Sequence, residues 1–77
     1  MKIYIEVTDT FAGEANYSWV KRYYFDTEEK DSMLKIVRRA LKISGYTGCR
    51  TKKQDSGDWV RLDFAGMCIV MFITFGE

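Results

Sequence analysis

Polar and apolar residues alternate at the start of this chain. Ile3, Ile5 and Val7 share one parity, and Lys2, Tyr4, Glu6 and Thr8 share the other. A period of two predicts an antiparallel strand over residues 2–8 with one wet side. Residues 9–16, with Phe11 and Gly13 among them, read as the loop of a long hairpin. Residues 17–25 are dense in aromatic and β-branched side chains and read as the returning strand. Its pattern is mixed. Trp19, Tyr23 and Phe25 fall with Lys21, while Val20 and Tyr24 fall with Ser18 and Arg22. Either both faces touch something or a bulge shifts the register.

The period then changes. Met33, Leu34, Ile36, Val37, Ala40 and Leu41 form an apolar helical stripe. Asp26 or Thr27 suits the N-cap, with Glu28, Glu29 and Asp31 placed where the helix dipole favours acids. Asp31 or Ser32 is the alternative cap, one turn later. Gly45 suits a left-handed exit. Residues 47–54 are polar and predict an edge strand guarded by lysines. Asp55-Ser56-Gly57-Asp58 predicts a tight turn. Val60, Leu62 and Phe64 alternate with Trp59, Arg61 and Asp63. Residues 67–75 are apolar on both parities, as in a central strand covered on both faces. The expected order is β-β-α-β-β-β. It makes one α+β domain over residues 1–77, with a single helix packed on a four- to five-stranded, mainly antiparallel sheet. One helix covers one face. The last strand therefore calls for a curled sheet or for a second copy of the chain, a homodimer.

Charge adds what hydropathy leaves out. Residues 30–53 hold eight bases against one acid, +7, and the remainder hold four bases against ten acids, −6, giving the net +1. Lys35, Arg38, Arg39 and Lys42 fall within about a third of the helix circumference, at ~100° per residue. Such a stripe suits an anionic counterpart: an acidic protein surface first, or nucleic acid as the alternative. The ten acids elsewhere would repel a long polyanion, which favours a protein. Phe11 beside Glu14 suits an interaction loop. Trp59 and Tyr4 lie opposite their strands' aliphatic sets, so each should be exposed or in a second contact layer. Lys35, Arg38, Arg39, Lys42, Phe11, Glu14 and Trp59 are the candidate partner-binding residues.

Several classes are disfavoured. The chain has no histidine, hence no Ser-His or Cys-His pair, and it has no glycine-rich phosphate loop. No catalytic residue, cofactor or metal site is expected. Cys49 and Cys68 read as reduced, mostly buried thiols. No stretch resembles a secretion signal, and the longest apolar run falls well below the ~20 residues of a membrane helix. A cytoplasmic, non-enzymatic binding protein is the expectation.

Residues 9–20, Asp-Thr-Phe-Ala-Gly-Glu-Ala-Asn-Tyr-Ser-Trp-Val, resemble a segment of short uncharacterised proteins of bacteria and their phages and plasmids. The Gly57-Asp58-Trp59 turn and the Cys68-Ile69-Val70-Met71-Phe72 strand are similar too. In size and style the chain also resembles anti-CRISPR proteins and other phage-encoded inhibitors, without a shared motif. The resemblance implies a stoichiometric protein-binding role, such as inhibition of a host defence complex. It brings no site residues with it.

Overall fold

The computed structural model describes residues 1–28 and 30–76. Five strands and one helix follow in the order β1 (Lys2–Phe11), β2 (Glu14–Asp26), α1 (Met33–Ser44), β3 (Thr51–Asp55), β4 (Trp59–Phe64) and β5 (Ile69–Phe75). The strands form one antiparallel sheet in the order β2-β1-β5-β4-β3. This is the expected α+β architecture, with the last strand at its centre.

Register explains the core. Ile3 lies between Phe25 and Phe75, Ile5 between Tyr23 and Ile73, and Val7 beside Met71. Val60 and Leu62 of β4 oppose Ile73 and Met71. These odd- and even-numbered sets meet on one face, where Ile36 and Ala40 of α1 close the layer. Nearly all of them are fully buried. At ~25 cal/mol per Å² of apolar surface, this single layer is the main stabilising term of so small a domain.

The helix starts at the later of the two expected caps. Ser32 accepts from the Lys35 amide at 3.2 Å, and no acid lies in the first turn. Asp31 instead closes the preceding turn, accepting from the Glu28 amide and the Thr27 hydroxyl. Glu29, expected in the first turn, lies outside the described residues. Gly45 ends the helix at φ 86, as its position implied. Leu34 leaves the expected apolar stripe and is 59% exposed, because the sheet meets only the Ile36–Ala40 side.

The hairpin is longer and tighter than expected. Residues 9–16 are not a loop: β1 and β2 continue to Phe11 and Glu14, joined by Ala12 and Gly13 alone. Both turn residues have positive φ, 55 and 84, which matches the strand twist of a two-residue hairpin. A register shift takes Ser18 and Trp19 out of the β2 parity, while Val20 to Phe25 pair regularly with aromatics on both faces. Thr8 opposes Val20 but Thr10 opposes Ala15, so residues 16–19 bulge against Asp9 alone.

Candidate functional site

The face of the sheet away from α1 has no covering layer among the described residues. Its side chains come from the complementary parity: Tyr4 and Glu6 on β1, Arg22 and Tyr24 on β2, Phe72 and Thr74 on β5, and Trp59, Arg61 and Asp63 on β4. Three of the aromatics are open to solvent: Tyr24 is 66% exposed, Tyr4 48% and Trp59 37%. Phe72 lies between them at half burial. Trp59 meets it edge-on, ring centres 6.3 Å apart. The Arg61 guanidinium lies 5.7 Å over the same ring, and Lys2 lies 5.6 Å over Tyr24.

The two arginines of this face are matched locally. Arg22 pairs with Glu6 across β1–β2 at 3.2 Å, and Arg61 pairs with Asp63 at 3.1 Å. A groove of about 210 Å³ runs beside Tyr4, Glu6, Arg22, Phe72 and Thr74. That is below the ~300 Å³ at which small-molecule sites begin.

The hairpin tip bends onto this face, and Asp9 shapes the bend. Its carboxylate accepts from the Asn16 amide group at 2.9 Å, the Ser18 backbone amide at 2.9 Å and the Ser18 hydroxyl. Those hydrogen bonds, Ser18's first, hold the Asp9 carboxyl far below the usual range. Thr8, fully buried, accepts from the Tyr17 amide and donates to the Trp19 carbonyl. Tyr17 is thereby kept at φ 56, which a side chain of its size rarely adopts. Burial first, and then the Glu6 carboxylate, push the Tyr17 phenol up. Arg61 completes the arrangement by donating to the Gly13 carbonyl at 2.8 Å. Thr8 and Val70, cross-strand neighbours on the otherwise open face, are both fully buried. The sheet itself stays open, with its five strands in one layer.

The basic stripe lies on the opposite side of the molecule. Its four residues fare differently. Lys35 pairs with Asp31 at 3.1 Å. Arg39 lies 4.6 Å over the Phe25 ring and donates to the Asp26 carbonyl at 3.0 Å. Arg38 and Lys42 make no ion pair among the described residues and flank a shallow hollow with Leu41, Thr47 and Gly48. Hydrogen bonds from Thr27 and then Lys35 lower the Asp31 carboxyl to about 2.

The candidate residues therefore divide between two surfaces. Trp59 sits on the uncovered sheet face, and the tip bearing Phe11 and Glu14 is tied to that face by Arg61. Phe11 is 75% exposed. Lys35, Arg38, Arg39 and Lys42 share the helix side. Arg61 and Phe72 do not stand out in the sequence as site residues. Phe72 had a signal, its place on the second apolar parity of β5. Arg61 had none, because its partner lies 48 residues away.

Cys49 and Cys68 are free thiols, Cys68 exposed rather than buried. Among the described residues, no helix is long and apolar enough to cross a membrane. No protein-family model, curated protein or solved structure matches the chain.

Proposed function

We propose that this protein is a non-catalytic module that binds a protein partner through the uncovered face of its sheet. One observation carries the reading. Tyr4, Tyr24 and Trp59 are exposed together on a face whose arginines, Arg22 and Arg61, already have carboxylate partners. Aromatic anchors with matched charges suit a protein interface, where Trp, Tyr and Arg dominate the binding energy. Polyanion binding favours unmatched cations, and this face presents Glu6 and Asp63 beside its arginines. Phe11 and Glu14, on the tip, extend the same contact surface.

A second reading keeps one specific support. Arg38 and Lys42 are cations without an ion-pair partner among the described residues, next to a hollow, and could hold nucleic acid or an acidic protein patch. The narrower proposal, an inhibitor of a host defence complex carried by a phage or mobile element and acting in the cytoplasm, rests on the likeness in size and style to phage-encoded inhibitors alone.

The test compares three baits in bacterial lysate: wild type, Tyr4→Ala/Trp59→Ala, and Arg38→Glu/Lys42→Glu. The proposal expects one protein to be retained by the wild type and the helix variant and lost from the sheet variant. Loss from the helix variant alone, or retention of nucleic acid that weakens steeply with salt, would favour the second reading.

A further inference from the structure

The outer edge of β2 is free, and its main-chain groups can be assigned a direction. Met1 and Thr27 exchange both hydrogen bonds: the Thr27 amide donates to the Met1 carbonyl at 2.9 Å, and the Met1 amino group to the Thr27 carbonyl at 3.1 Å. In an antiparallel ladder such pairs alternate with pairs that exchange none. The β1–β2 register runs without a shift from Lys2↔Asp26 to Thr8↔Val20. Hence Phe25, Tyr23 and Lys21 bond to β1, while Asp26, Tyr24, Arg22 and Val20 direct their N–H and C=O groups away from it. Lys2 agrees with this phase, since its carbonyl turns away from β2 to accept from Gly76.

Edges of this kind are normally guarded. At the other edge of the sheet, β3 has five residues with Lys52 and Lys53 among them. β2 has 13 residues, the chain contains no proline, and the bulge ends before Val20. Residues 20–26 are left as a regular strand with an unpaired ladder. Among the described residues, the one group engaged there is the Asp26 carbonyl, which accepts from Arg39 and keeps a second lone pair.

We propose that β2 pairs antiparallel with β2 of a second copy of this chain, about a two-fold axis at Tyr24. Registers centred on a residue keep each side chain on its own face of the joined sheet. Centring on Arg22 would oppose two arginines. Centring on Tyr23 would set Asp26 against Val20 and Arg22 against Tyr24. Centring on Tyr24 sets Arg22 against Asp26 of the second copy, twice, and stacks the two Tyr24 side chains between those pairs. On the helix side it sets Tyr23 against Phe25. Opposite charges and aromatic pairs are the favourable cross-strand combinations. The same register turns the outward groups of Tyr24, Arg22 and Asp26 into six inter-chain main-chain hydrogen bonds. Two five-stranded sheets become one of ten strands, and the two uncovered faces become continuous. Dimerisation at this edge needs no other partner and would stand even if the uncovered face bound nothing.

Sedimentation of the full chain from micromolar to ~1 mM tests this, a range suited to an interface at the small end of the size classes. The mass should rise from 9.0 kDa to twice that value. Tyr24→Pro removes an N–H that β1 does not use and should stay at 9.0 kDa with an unchanged circular dichroism spectrum. Arg22→Glu and Asp26→Lys should each be monomeric alone. Their equimolar mixture should recover the doubled mass, because both cross-strand pairs are then complementary. A wild type that stays monomeric throughout, a dimer that survives Tyr24→Pro, or folded charge variants that fail to associate when mixed would each overturn the proposal.

Discussion

Arg61 on β4 donates to the backbone carbonyl of Gly13, at the tip of the β1–β2 hairpin, over 2.8 Å. The same guanidinium holds Asp63 and lies over Phe72. One side chain thus joins the hairpin tip to β4 and to the central strand, β5. It fixes where Phe11 and Glu14 stand relative to Trp59.

Arg61→Ala should free the tip without unfolding the domain. Amide hydrogen exchange should quicken at residues 13–18, while the amides of β4 and β5 keep their protection. Arg61→Lys should rescue this only partly, since an ammonium lacks the fork that serves Gly13 and Asp63 together. Equal loss of protection everywhere would show that Arg61 supports the core instead.

Two carboxylates set the acid limb of stability. Asp31 is lowered to about 2 from its ordinary 3.8, and Asp9 is displaced further in the same direction. A depressed carboxyl stabilises the fold above its unfolded value and ceases to do so as pH falls through its folded value. The melting temperature should therefore hold down to about pH 4 and decline below it. Asp9→Asn/Asp31→Asn should start lower and decline less steeply. Parallel curves for variant and wild type would contradict the assignment.

The two sides of β4 should respond differently to truncation. Leu62 is fully buried, and Leu62→Ala should cost about 2–5 kcal/mol. The whole domain has only roughly 4–12 kcal/mol, at 0.05–0.15 per residue. Trp59→Ala should cost about 1–2 kcal/mol, because the ring is partly in water and packs on Phe72 alone among the aromatics. Urea unfolding of both variants checks the contrast.

Tyr4 can be displaced from the uncovered face without touching it. A methyl group at Gly76 would collide with the edge of the Tyr4 ring. Tyr4 is half exposed and free to swing outward, so Gly76→Ala should leave stability nearly unchanged. The ring signals of Tyr4 should shift in the NMR spectrum, and affinity for a partner on this face should fall. Unaltered Tyr4 signals would place the ring elsewhere.

Fold class was legible because it depends on period. The alternations of β1 and β4, the two-sided apolar run of β5 and the stripe ending at Gly45 are all local. The hairpin tip was not legible. Phe11, Gly13 and Glu14 look like a loop, and only the pairing of Thr10 with Ala15 shows that the strands continue. The basic stripe was legible as a stripe. That Lys35 and Arg39 are already engaged, by Asp31 and by Phe25 with the Asp26 carbonyl, depends on how the turn before the helix folds. Trp59 and the four helix cations could not be assigned to opposite sides until register and helix packing were known.

Which of those sides meets the partner can be read by cross-linking. A photoreactive phenylalanine analogue placed at Trp59, and separately at Arg38, would be irradiated in bacterial extract. The sheet-face reading expects a covalent adduct with one protein from position 59 and none from position 38. An adduct from position 38 with none from position 59 would contradict it.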